Sequence, residues 1–322
     1  MQIFNLTLNQ MLMMFALILV GFIIRKKGKL SETAGTTMAK LETFIFVPAL
    51  SLYTQMTKCT VETFTENAPL ILYGLIIVLA AIAVAYPLSR LFVRNSKASL
   101  ALAYQRNIYK YALTFGNYGF MGNFIVLGVW GSDMFYQYSL FVLLIGVLCN
   151  GWGMYILIPK EKNAGLLHNL KKGLLTPPII ALISGILCGL LGVAKYIPQF
   201  MINALDAAGK CQGPVAMVLA GFVIGGYNLK ELVSNKKVYA ATLLRLVVIP
   251  AVIMLVLKLL GTNDTVMTLA LIAFATPLGL NTIVYPAAYG GDTKTGASMT
   301  MISHTLSVIT IPLMYLVFVV LL

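Results

Sequence analysis

Phe115–Asp133 reads FGNYGFMGNFIVLGVWGSD, and Phe274–Asp292 reads FATPLGLNTIVYPAAYGGD. Without a gap, the two stretches share the leading Phe, a run of small residues after it and an aromatic–Gly–x–Asp ending. The first packs Gly116, Asn117, Gly119, Gly122 and Asn123 into eight residues, and the second packs Thr276, Pro277, Gly279, Asn281, Thr282 and Pro286 into eleven. Both are otherwise apolar enough for lipid. Proline removes a backbone donor and clashes with the preceding turn, and glycine costs about 1 kcal/mol against alanine inside a helix. Two membrane helices interrupted at matching places are therefore predicted. Unwound backbone at membrane depth is tolerated only where protein or a water-filled cavity satisfies it. The freed half-helix N-termini offer N–H groups and a partial positive charge suited to a carboxylate. Asn117, Gly119, Thr276, Pro277, Asn281 and Thr282 are the candidate substrate-binding residues. The competing explanation is that small residues simply let helices pack closely in lipid.

Around these stretches the chain is as apolar as they are. Of 322 residues, 59% are hydrophobic and 10% charged, against roughly a quarter charged in soluble domains. With a mean hydropathy of +0.89, too little polar surface remains to coat a globule in water. The fold class is all-α integral membrane. The net charge of +13 does not imply nucleic acid, because in such a protein the placement of the charges matters more than their sum. Cys59, Cys149, Cys188 and Cys211 are scattered without a metal-type pair, so neither a disulfide nor a metal site is inferred. The first apolar run is followed, not preceded, by Arg25, Lys26, Lys27 and Lys29, which reads as a retained helix rather than a cleaved leader.

A span needs about 20 mostly apolar residues. About ten can be drawn, at residues 8–24, 41–56, 69–92, 111–130, 134–158, 177–194, 213–226, 238–260, 266–289 and 297–322. Eighteen of the 23 Lys and Arg residues fall in the odd-numbered loops. Only Lys58, Lys195, Lys210 and Lys258 fall on the other side, and Arg245 lies within a span. The positive-inside rule then places the odd loops in the cytoplasm and both termini outside, in a multi-pass protein of the cell (inner) membrane. The longest polar connector divides the chain into five spans (1–159), a central cytoplasmic loop (160–176) and five more spans (177–322). An odd number of spans per half makes the likeness between the halves a 5+5 inverted repeat. Pro48 in FIFVPALSLY parallels Pro214 in CQGPVAMVLAGF, and both join the substrate-site candidates, with ordinary helix kinks as the alternative.

Ionisable residues within spans are few, and each is a functional hypothesis. Arg245 either counters an anion or snorkels to the interface. His304 either titrates near neutral pH or is a hydrogen-bonded structural residue. Glu42 is placed at the interface, and Asp133 and Asp292 at loops or caps. No pair of carboxylates occupies the interrupted spans, and HExxH, GxSxG and phosphate-loop motifs are absent. A non-enzymatic secondary transporter of small organic anions follows, with no cofactor and with proton or sodium coupling left open. An anion channel or an auxiliary membrane sensor is the alternative. The partners expected are the anion, the lipid bilayer and a second copy in a homodimer, with no nucleic acid.

FIFVPALSL around Pro48, Asn117-Tyr118-Gly119-Phe120-Met121-Gly122, and the block from Pro277 through YPAAYGGD to Ser303-His304-Thr305-Leu306-Ser307 and Ile311-Pro312 resemble the auxin efflux carrier family of permeases. Its bacterial members include proteins described as malonate or malate carriers. The resemblance spans essentially the whole chain. It implies a fold similar to that of sodium–proton antiporters and bile-acid symporters, with a scaffold and an elevator-type transport domain in which two broken helices cross. It also implies that Asn117 and the Pro277–Asn281 segment line the anion site there. Phe124 stands where many members have proline, the long central loop of plant members is missing, and no charge lies between Pro69 and Leu88.

Overall fold

The computed structural model describes residues 2–159, 165–283, 286 and 291–321. These residues form helices and no strand. Helix α1 is Gln2–Lys26, α2 covers residues 34–58, α3 is Val61–Phe92 and α4 is Leu100–Thr114. After a break come α5, Tyr118–Phe141, and α6, Leu143–Leu157, which meet at 50°. Helices α7, Leu166–Leu174, and α8, Pro177–Leu190, meet at 48°. Then follow α9, Gln199–Gly225, and α10, Lys236–Leu259; α11, Asp264–Ala275; and α12, Lys294–Leu321. Five of these helices (α1, α3, α9, α10 and α12) are long and apolar enough to cross a bilayer, and there are seven such spans if each bent pair counts as one.

Local chemistry sets the ends. Ser99, Asn235 and Asn263 accept hydrogen bonds from the first turns of α4, α10 and α11, which satisfies N–H groups that have no partner within the helix. Gly131 adopts φ +80°, open to glycine without strain, and bends α5 there. Two prolines leave a different mark. Pro48 and Pro250 each follow a turn wound one residue wider than an α-turn, Glu42–Phe46 in α2 and Leu244–Val248 in α10. A proline cannot donate to the carbonyl one turn back, and a widened turn re-routes the ladder around that missing bond. Pro214 lies within α9 just after Cys211, where the α-helical ladder is interrupted between Lys210 and Gln212.

The side chains facing outward are large and apolar: Leu12, Leu19 and Ile23 on α1, Leu72, Ile76 and Leu79 on α3, and Val252, Leu255 and Leu259 on α10. Bands of this size on several helices mark a surface that meets lipid. Inside, α1 packs along α9, α2 lies against α8 and α9, and α3 flanks α4 and α5. The α1–α9 contact is very close. A methyl group added at Gly21 would collide with the Val218 carbonyl, and one added at Gly221 with the Ile18 carbonyl. Close backbone approach of this kind is a main source of helix association where lipid removes the hydrophobic drive.

The sequence reading placed Glu42 at the interface, and the structure shows where its side chain turns. The residue is fully buried, facing the backbone of Ala216 on α9, because the wide turn rotates it toward α9. Asp133 lies just past the Gly131 bend and pairs with Lys58 at 2.7 Å. Asp292 does act as a cap, accepting from the Lys294 N–H at 2.9 Å and the Thr295 hydroxyl at 2.7 Å. Lys160 and Lys162 of the central loop, and Tyr285 with residues 287–290 of the YPAAYGGD block, lie outside the described residues.

Gly221→Val should overpack the α1–α9 contact at a cost of about 1–3 kcal/mol. It would show as earlier thermal loss of the monodisperse peak of the detergent-purified protein. Leu260→Ala, on the exposed surface, should stay within about 0.5 kcal/mol of the parent.

Candidate functional site

The chain leaves helical geometry twice, and the two departures meet. Helix α4 stops at Thr114 and α5 starts at Tyr118, while α11 stops at Ala275 and helical backbone resumes at Asn281. Between them Gly116 and Leu278 form an antiparallel bridge, and the Asn117 N–H donates to the Pro277 carbonyl at 2.7 Å. Each unwound segment thus satisfies part of the other's backbone, as buried peptide groups require. The Leu278 N–H donates to the Ser303 hydroxyl of α12 at 3.0 Å. On the other break, the Met121 and Gly122 amides both reach the Asn117 carbonyl at 3.0 Å. Glycine is needed at 116 for close approach: a methyl group there would strike the Arg245 guanidinium and both oxygens of Thr276.

Beside this crossing lies a cavity of about 300 Å³. Its polar end is formed by Gly116–Phe120 and Gly279–Asn281, including the first turn of α5. Thr43, Val47 and Ser51 of α2, Ser139 of α5, Asn150 of α6, and Ile179 and Leu182 of α8 complete the walls. None of these described lining residues is charged. The polarity of the described lining therefore comes from neutral amides, hydroxyls and the partial positive end of α5.

The two asparagines at the crossing are each oriented from behind. His304 Nδ1 lies 2.7 Å from the Thr300 carbonyl, one turn back in α12. A carbonyl only accepts, so Nδ1 carries the proton and Nε2 of the neutral ring is an acceptor. Asn117 Nδ2 then donates to Nε2 across 3.3 Å. Asn281 Nδ2 donates to the Tyr111 hydroxyl at 2.9 Å, and that hydroxyl lies 3.0 Å from Cys149 Sγ. Two further amides grip the start of α5 from outside. Gln10 of α1 donates to the Phe124 carbonyl at 3.0 Å, and Gln212 of α9 donates to the Phe120 carbonyl at 3.2 Å.

The candidates named from sequence separate into groups. Asn117, Gly119 and Asn281 line the cavity. Thr276 and Pro277 form the break without lining it, and Thr282 turns back to the Gly279 carbonyl at 3.1 Å. Pro48 sits between the lining positions Val47 and Ser51, where it shapes the wall of α2, and Pro214 does not line the cavity. His304 is buried behind Asn117. Arg245 neither snorkels nor faces the cavity: it is fully buried and donates to the Leu113, Thr114 and Ala273 carbonyls. Sequence reasoning did not single out Tyr111, Gln10, Gln212, Ser51 or Ser139. A polar residue inside an apolar run was the available signal for Gln10 and Ser139, whereas Tyr111 reads as an ordinary membrane aromatic.

A multi-pass helical membrane protein whose interrupted helices meet beside an internal cavity falls in the class of membrane transporters. The sequence model of the family described as "Membrane transport protein" matches residues 6–169 and again residues 165–315, and the chain belongs to that family, which is the auxin efflux carrier group. No curated protein matches the chain.

Alanine substitutions should distinguish the two glycines of the first break. Gly116→Ala should sharply lower the yield and melting temperature of the purified protein. At Gly119 an added methyl meets no atom within 4 Å, so Gly119→Ala should melt like the parent while taking volume from the cavity.

Proposed function

We propose that the protein is a non-enzymatic carrier of small organic anions, with carboxylates as the substrate class, and that it binds them at the crossing of its two interrupted helices. The observation carrying this reading is the meeting of a half-helix N-terminus, Tyr118–Gly122, with Asn117 and Asn281 at one end of an uncharged cavity. Amide donors and a helix N-terminus hold a carboxylate without a cationic side chain. The mixed walls, with Val47, Ile179 and Leu182 among the hydroxyls and amides, accommodate the rest of the molecule.

The ten-span arrangement belongs to this reading. Counting α4 with the first part of α5 as one interrupted span, α5 beyond Gly131 with α6 as the next, and α8 as the first span after the connector that carries α7 gives five spans on either side of residues 160–176. The two successive matches to the family model, 6–169 and 165–315, favour two repeats, and odd repeats insert in opposite senses. The halves, 1–159 and 177–322 about a cytoplasmic loop, would leave both termini outside the cell membrane. In this reading α1, α2, α8 and α9 form a scaffold that packs on itself, and the bundle bearing the breaks moves against it in an elevator-type cycle. A channel is the second reading, favoured by the absence of charged groups from the cavity lining.

Uptake of labelled malonate and benzoate into proteoliposomes tests the proposal. Saturable flux is the expected outcome; no flux of any organic acid through folded protein would refute a carrier, and unitary currents would favour the channel. Asn117→Ala and Asn281→Ala should each abolish flux while leaving the amount of protein in the membrane unchanged. His304→Ala should raise KM several-fold, the scale of one lost hydrogen bond of about 1 kcal/mol. His304→Gln, whose amide oxygen accepts as Nε2 does, should recover part of the loss.

A further inference from the structure

Arg245 is the bulkiest of the fully buried side chains, and it pairs with no carboxylate among the described residues. A buried charge without a partner is costly, so what surrounds it matters. Nη1 donates to the Thr114 carbonyl at 3.0 Å and the Leu113 carbonyl at 3.4 Å, and Nη2 to the Ala273 carbonyl at 3.5 Å. The guanidinium carbon also stands 5.8 Å from the centre of the Phe274 ring. These oxygens are in the last turns of α4 and α11, the two half-helices that stop at the breaks. Each such end carries about half a negative charge. Two of them converge here, away from bulk water, and would draw in a cation if none were built in. Arg245 meets both with one planar fork, which a point-charge ammonium cannot match. It does not line the cavity but lies directly behind Gly116, which does, while the opposite, positive end of α5 borders the cavity itself.

We propose that Arg245 is the resident counter-cation of the crossing: it permanently fills the place where two helix C-termini would otherwise recruit a soluble cation, so anion binding at the crossing needs no co-bound sodium ion. The second clause rests on the anion-site reading above; the first stands on the carbonyl geometry alone. Arg245 is thus a positioning residue. It holds the two negative helix ends together and cancels their field, leaving the positive end free to act on the ligand.

The full chain in detergent provides the test. Arg245→Ala should melt below the parent and regain stability saturably in low-millimolar guanidinium chloride, but not in equal tetramethylammonium chloride, while the parent responds to neither. Arg245→Lys should lie between parent and Ala. An Ala variant that is indifferent to guanidinium overturns the resident-cation role. If the Ala variant is not recovered from membranes, Arg245→Lys and Arg245→Met decide: recovery of Lys alone supports the role, and equal recovery of both overturns it. For the second clause, malonate or benzoate should bind the parent with affinities in sodium and choline buffers that agree within about twofold, as expected when no sodium binding is linked. Binding that requires sodium overturns this clause. If neither acid binds in either buffer, the anion-site reading fails instead, and the guanidinium response still decides the role of Arg245.

Discussion

Peptide groups that leave a helix at membrane depth must find partners in protein, and here they find them in each other. The bridge between Gly116 and Leu278 and the bond from Asn117 to Pro277 let two helices be broken in an environment that forbids broken helices. Much else in the molecule serves that junction. Gly116 allows the approach, Ser303 satisfies the Leu278 amide, and Arg245 neutralises the two truncated ends behind it. The cavity is bordered by both breaks, so the same unwinding that creates the packing problem also shapes the candidate site.

The electrostatic layout follows from helix polarity. Each broken helix contributes a negative end and a positive end a few residues apart. At the negative ends the chain supplies a covalently attached cation, and at the positive end of α5 it supplies only amides and open space. In the proposed reading, a lining whose described residues carry no formal charge would admit an anion without trapping it in an ion pair, and so would let a carrier release what it binds. Glu42, buried against α9 inside the wide turn that precedes Pro48, is a further ionisable group enclosed by the protein, beside Arg245 and His304.

How much of this was legible in the sequence depended on the range over which each signal acts. The breaks were legible because proline and glycine act on their own turn: Gly116, Gly119 and Pro277 announce interruption without reference to a partner. Asn117 and Asn281 stood out as amides in apolar runs. The role of Arg245 was not legible, because the carbonyls it binds are separated from it by 131 and 28 positions. The burial of Glu42 was not legible for a related reason: its place near the start of the second span says nothing of the wide turn that holds it, and only the packing of α2 on α9 shows which way it faces. The support of Asn281 by Tyr111 hangs on one hydroxyl 170 positions away, and aromatic residues are too common in membrane helices for that to be seen.

The two glutamines that grip α5 have a kinematic consequence. Gln10 and Gln212 hold the carbonyls of Phe124 and Phe120, which are four residues apart and so stacked one above the other along the helix. Sliding α5 by one turn, about 5.4 Å, would take each glutamine off its carbonyl and set it before another in the same column. Intermediate displacements would leave both amides without acceptors. Any motion of α5 past α1 and α9 would therefore be indexed by the helical pitch, with resting positions a whole turn apart rather than a continuum between them.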